Sequence, residues 1–158
     1  MPSWSAKPYL VPVPAGACYG VDSPPWNALV TRELATELRR VLDRFAAEAG
    51  FHPRRPVQIH FEPGIVGHHQ VGRAADLYQI NGIRLDVWRR KWDRTEPPLR
   101  PKNLGWRLYK ALAMYGNWAE PPGYPVQLFG PWTREEGPWK RISDRLLDAH
   151  RDHIHVAL

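Results

Sequence analysis

Gly67-His68-His69-Gln70-Val71-Gly72-Arg73-Ala74-Ala75-Asp76 is the stretch on which the reading of this chain turns. It begins as a loop and ends as a strand. Arg73 to Tyr78 alternates in character, and Asn81-Gly82 follows at once. An Asn-Gly pair between two extended runs is a strong hairpin signal, because both residues tolerate the positive φ that a tight turn matching strand twist requires. Ala74–Gln79 is therefore expected to pair with Ile83–Trp88. Side chains two apart on a strand share a face, so Ala74 and Asp76 point the same way. Gly72 lets the loop carrying His69 fold back towards Asp76.

Upstream, Val57-Gln58-Ile59-His60-Phe61 alternates strictly and reads as a half-buried strand. Before it, Leu29, Val30, Leu34, Leu38, Val41, Leu42 and Phe45 recur at steps of three and four, with Arg32, Glu33, Glu37, Arg39 and Arg40 between them. That periodicity predicts a long amphipathic helix ending at Gly50. Ser23-Pro24-Pro25-Trp26 supplies a hydroxyl cap and a first-turn proline for its start. Residues 1–22 read as an extended arm, whose prolines restrict Tyr9–Pro14 to an edge strand.

Downstream, Arg89–Lys102 is charged and proline-rich and reads as a loop. Asn103 is expected to cap a second helix that stops at Gly116, followed by a loop over Asn117–Tyr124 and a short strand over Pro125–Phe129. Trp139, Ile142, Leu146 and Leu147 predict a third helix, and His153–Leu158 a final strand. The sum is an α+β fold: a small, mostly antiparallel sheet of about four or five strands with about three helices on one face. Residues 23–158 form its single domain.

A length of 158 residues suits one such domain. The net charge of +6 favours anionic partners (nucleic acid, membrane, or an acidic polymer such as a bacterial cell wall) or simply serves solubility. Cys18 is the lone cysteine, which excludes an intrachain disulfide and a multi-cysteine metal site. Met1–Trp26 lacks the apolar core of a cleavable signal, and no apolar run reaches the roughly 18 residues of a membrane span.

The chemistry lies in the opening stretch and in Asp152-His153-Ile154-His155 at the far end. On a strand His153 and His155 share a face. One can ligate a metal while the other stands beside it. Asp152, at the loop entering the strand, can reach a metal-bound water without ligating. Imidazole nitrogen and carboxylate oxygen are zinc ligands, and a catalytic zinc takes about three of them and leaves a position for water. The two windows together supply that number.

His69-x-x-Gly72-x-Ala74-x-Asp76 followed by Asp152-His153-x-His155 resembles the LAS-type metallopeptidases, which include lysostaphin-like enzymes, D-Ala-D-Ala carboxypeptidases and hedgehog domains. It is most similar to the branch of D-Ala-D-Ala carboxypeptidases and L-alanyl-D-glutamate endopeptidases. The resemblance covers about residues 57–88 and 146–158. It implies a hedgehog/D-Ala-D-Ala peptidase-like fold and one zinc ion held by His69, Asp76 and His155. It selects His69 over His68 as ligand, makes Asp152 the general base, and sets His153 beside the metal to stabilise an oxyanion. Gly67 stands where the family has a serine, and of Arg54 and Arg55 neither clearly matches the family's upstream arginine.

The expected activity is that of a zinc-dependent peptidoglycan hydrolase, a carboxypeptidase or endopeptidase acting on stem peptides at the bacterial wall if exported or phage-derived. The alternatives are a non-hydrolytic zinc module on the same scaffold and a basic nucleic-acid-binding protein. A nucleic-acid partner is not expected, and a monomer is. Trp88, Trp92, Trp106, Trp118, Trp132 and Trp139 divide between groove and core. Arg84, Arg89, Arg90, Lys91 and Arg94 form a basic run suited to an anionic wall polymer or to a solvated loop. His52, His60 and His150 carry no pattern and read as structural.

Overall fold

The amphipathic run folds as α1 (Arg32–Glu48) in a computed structural model that describes residues 9–64, 69, 71–116 and 127–158. Its start is later than the sequence predicts. Thr31 is the cap, its hydroxyl accepting from the Leu34 N–H at 3.2 Å. Ser23 is engaged elsewhere: its Oγ accepts from the Phe61 N–H at 2.6 Å and donates to the Phe61 carbonyl at 2.8 Å. Leu29–Val30, counted above with the helix, is instead strand β3, antiparallel to β1 (Val11–Pro12). Backbone pairing there outweighs a helical period that continues through the same two residues.

The main sheet has six strands, more than expected. Its order is β2 (Tyr19–Val21), β4 (Val57–Glu62), β5 (Ala74–Ile80), β8 (Ile154–Ala157) and β7 (Gln127–Phe129), with β6 (Ile83–Arg84) also on β5. All pairings are antiparallel except β2 with β4, so the α+β class holds and the sheet is mixed at one edge. Part of the segment read as an arm thus joins the sheet. Its Tyr19 is buried, and Asp43 on α1 accepts from the Ala17 and Cys18 N–H groups at 3.1 and 2.9 Å.

The turn forms at Asn81-Gly82, with φ of 52° and 75°. The pairing after it stops at Arg84, however, and does not run to Trp88. Leu85–Arg94 is helix α2, and Pro97–Lys102 a 3₁₀ segment, where a strand and then a loop are predicted. The helix gains from pairs one turn apart, Asp86 with Arg90 and Arg89 with Asp93. It also gains from Trp88 and Trp92, which pack against the core. Charge density disguised an amphipathic helix.

Helix α3 (Leu104–Tyr115) begins and ends as predicted, with Asn103 Oδ1 accepting from the Trp106 N–H at 3.0 Å. Helix α4 (Asp144–Ala149) is capped by Ser143 and excludes Trp139 and Ile142, which precede it. The predicted loop over 117–124 and the first two residues of the predicted strand 125–129 lie outside the described residues. No helix among the described residues is long and apolar enough to cross a membrane.

The sheet has two unlike faces. Val57, Ile59 and Phe61 of β4, Leu77 of β5, Ile154 and Val156 of β8 and Leu128 of β7 join Leu34, Leu38, Val41, Leu42 and Phe45 of α1 in one buried cluster. Strand alternation then sends Asp76, His155, Gln127 and Phe129 to the opposite face. A bulge between β4 and β5 shifts the register past His60 and Phe61, which returns Ile80 to the core.

Tyr109 of α3 ties this core to β7. Its buried hydroxyl donates to the Leu128 carbonyl at 3.1 Å and lies 3.0 Å from Thr133 Oγ1. Tyr109→Phe strands the carbonyl and should lower stability by about 1–3 kcal/mol, read as a shift in the urea midpoint with an unchanged slope. A neutral substitution would show that β7 is held by other contacts.

Candidate metal centre

Strand register builds the centre. β8 runs antiparallel to β5 with Asp76 opposite His155 and Leu77 opposite Ile154. Directly opposed residues share a face, so Asp76 and His155 meet on the side away from the hydrophobic core. Asp76 Oδ1 lies 2.9 Å from His155 Nδ1. His153, two residues before His155, turns to the same side and brings its Nε2 to 3.9 Å from Asp76 Oδ1.

His69 precedes β5 in the chain. Gly72, at φ 71°, closes the turn by donating its N–H to the His69 carbonyl at 3.1 Å, and its own carbonyl accepts from the Thr31 N–H at 2.8 Å. Gly64 backs the imidazole closely: a Cβ there would sit 2.2 Å from His69 Cγ. So lodged, His69 Nε2 lies 3.2 Å from Asp76 Oδ2. The ligand atoms of His69, Asp76 and His155 all fall within 4.8 Å of one another. Tetrahedral ligands at about 2.0–2.2 Å from zinc stand roughly 3.3–3.6 Å apart, so small shifts of these side chains would bring them to that spacing.

The donor chemistry fits a cation as well. Asp76 and His155 are each 7% exposed. Burial pushes the Asp76 carboxyl up, but hydrogen bonds from His155 and His69 outweigh it and hold the group well below the usual carboxylate range. The ligand set thus includes a carboxylate that stays ionised. His155 Nε2 lies 3.0 Å from Gln127 Oε1. An amide oxygen accepts, so Gln127 holds the ring by its Nε2 side while Nδ1 faces Asp76.

Asp152 takes the exposed flank. Its Oδ1 lies 2.7 Å from His153 Nδ1 and its Oδ2 3.3 Å from Arg84 Nη2. Arg84 reaches it because β6 and β8 follow one another along the same edge of β5. His153 is further held by Tyr78, stacked on it at 4.7 Å between ring centroids. Burial pushes the Tyr78 phenol up to about 12, with Asp76, Asp152 and Glu62 adding to the shift and Arg84 opposing it. It therefore stays a neutral hydroxyl.

The five residues singled out from the sequence fall together: His69, Asp76 and His155 as a converging group, His153 against it, and Asp152 behind His153 on the solvent side. Gly67 and His68 lie outside the described residues. Four further neighbours were missed. Tyr78 continues the Ala74–Asp76 face and was legible from the period of two. Gln127 and Phe129 touch His155 only because β7 pairs with β8, and no local signal specifies that pairing. His150, expected to be structural, lies 5.0 Å from His153 and 5.4 Å from His155 between ring centroids. Burial pushes its imidazole down, the neighbouring His153 and His155 add to this, and a hydrogen bond to the Leu146 carbonyl and the Asp76 charge oppose it.

Two cavities include residues of this region. One of about 220 Å³ is lined by His69, Ala74, Glu62, Leu10 and Trp26, and Trp26 is 72% exposed. The other, of about 420 Å³, is lined by Asp152, Asp86, Arg90, Arg151 and Leu147 among others. Of the tryptophans assigned above to groove or core, Trp132 is fully buried, while Trp88, Trp92, Trp106 and Trp139 are partly buried against the core. Trp118 lies outside the described residues.

No protein-family model, curated protein or solved structure matches the chain. What the fold and the side chains establish is an α+β domain with a largely buried His-Asp-His group at metal-binding distance.

Partners that orient a ligating imidazole are worth about 10–100-fold in metal affinity. Gln127→Leu should weaken zinc binding by that factor, measured by competition with a chromophoric chelator, while leaving the melting temperature of the metal-free protein within a few degrees of wild type. Unchanged affinity would show that Gln127 does not hold the His155 ring.

Proposed function

We propose that the protein is a zinc-dependent peptidase of the LAS type that hydrolyses peptide bonds in bacterial cell-wall stem peptides. The observation that carries this is the pairing of the His69–Asp76–His155 group with the Asp152–His153 hydrogen bond beside it. Structural zinc sites are closed by four protein ligands, whereas three with an acid–base pair alongside is the arrangement of hydrolytic ones. A zinc ion held there would supply Lewis-acid activation of water and of the scissile carbonyl.

The chain's own residues account for the rest. Asp152 accepts the proton of the attacking water and returns it to the leaving amine. It is 45% exposed at the side chain, so it can exchange that proton without a buried charge being stranded. Arg84, 3.3 Å away, orients the carboxylate. His153 has its Nδ1 on Asp152, and its other nitrogen faces the metal side. From there Nε2 can donate a hydrogen bond to the oxygen on which negative charge develops. Stacking on Tyr78 fixes the direction of that donation. The cavity lined by His69 and Trp26 and the one lined by Asp152 and charged side chains are candidate places for the two sides of a peptide substrate.

Removing a general acid–base group costs about 100- to 10,000-fold in rate. Asp152→Asn should therefore keep its zinc and lose cleavage by that order, followed by mass identification of the peptides released from purified peptidoglycan. Wild-type rates in this variant would remove Asp152 as the base. A zinc-loaded wild-type protein that releases nothing from peptidoglycan would favour the non-hydrolytic module.

A further inference from the structure

The positive charge of this chain is concentrated in one part of the fold. Residues 85–110, which cover α2, the 3₁₀ segment and most of α3, contain eight Lys or Arg against three Asp or Glu, a net +5 of the chain's +6. Part of this charge is used internally. Arg89 is bound by Asp93 and Glu135, and Arg90 by Asp86. Lys91, Arg94 and Lys102 are exposed and have no carboxylate partner among the described residues. Lys91 and Arg94 are one turn apart on α2, and Lys102 ends the 3₁₀ segment that folds back on that helix. Arg100 Nε in that segment donates to the carbonyls of Trp92 and Thr95 at 3.1 and 3.0 Å.

The aromatic residues of this surface are already occupied. Trp88 and Trp92 pack against the core. Lys91 Nζ lies 5.0 Å from the Trp88 ring centroid and Arg100 Cζ 4.2 Å from that of Trp92. With the core on one side and a cation on the other, these rings offer no platform for a nucleobase. Proteins that bind single-stranded nucleic acid without sequence preference combine a basic groove with open aromatic faces, and here only the charge is on offer. Cation–π contact also holds Lys91 and Arg100 in place.

We propose that the face formed by α2 and the 3₁₀ segment binds a polyol-phosphate polymer of the bacterial wall, through Lys91, Arg94 and Lys102. Its phosphodiesters complement these exposed cations, which have no carboxylate partner among the described residues, and require no stacking partner. None of the three residues lines the metal centre or its cavities. The surface is thus separate from the metal centre, and the choice of a wall polymer as its ligand rests on the peptidase reading; it would act as an anchor that keeps the protein on an anionic polymer.

The test uses the full chain and purified poly(glycerol phosphate), with binding followed calorimetrically or by co-sedimentation. Relief of about three phosphate contacts should weaken binding roughly 20-fold between about 50 and 200 mM salt. The K91E/R94E/K102E variant should lose at least about 10-fold at the lower salt, and the neutral K91Q/R94Q/K102Q variant, which spares the fold any like-charge cluster, should lose less. His155→Ala should bind as wild type, which separates this surface from the metal centre. The proposal is overturned by absence of binding, by binding that ignores salt or all three cations, or by an oligothymidylate of equal charge that binds as tightly as the polyol phosphate.

Discussion

The structure depends on the cross-strand pair of Asp76 and His155. Burying a carboxylate costs several kcal/mol unless charge and hydrogen bonds compensate it, and here the compensation comes from imidazoles brought in by two other segments. Register is the constraint behind this. Leu77 and Ile154 are opposed in the hydrophobic core while Asp76 and His155 are opposed on its far side. A slip of one residue in either strand would send a charged group into the core and a leucine or isoleucine to the polar face. The hydrophobic pattern of β5 and β8 therefore places the polar group as firmly as it places the core.

The remaining elements serve this pair from their own directions. β7 brings Gln127 to the free nitrogen of His155 and Phe129 to its ring, and α3 holds β7 through Tyr109. The N-terminal segment braces Gly72, three residues after His69. Leu10 lies so near Gly72 that a Cβ there would be 2.3 Å from its Cδ2, and Thr31 at the start of α1 binds the Gly72 carbonyl. Gly72 is therefore needed twice, for its positive φ and for the space its missing side chain leaves.

Much of this was legible in the sequence because it is local. The Asn81-Gly82 turn, the alternation of β4 and β5 and the capping of α3 by Asn103 each follow from a few adjacent residues. The shared faces of Ala74 with Asp76 and of His153 with His155 follow from the period of two. What was not legible depends on partners distant in sequence. Leu29 and Val30 carry a helical period yet pair with Val11 and Pro12. Trp88 ends a pattern that continues as a strand on paper, but the indole finds the core only if the chain turns helical at Leu85. Gln127 and His150 have no pattern of their own and reach the centre through the β7–β8 pairing and the loop after α4.

The claim that His69, Asp76 and His155 hold one metal ion is tested most directly by elemental analysis of the purified chain after equilibration with zinc and removal of loosely bound ions. The account predicts one zinc per wild-type chain and its loss in each of His69→Ala, Asp76→Ala and His155→Ala, with the circular dichroism of the fold retained. Zinc that persists in the Asp76→Ala protein, or a wild-type chain that retains none, would contradict it.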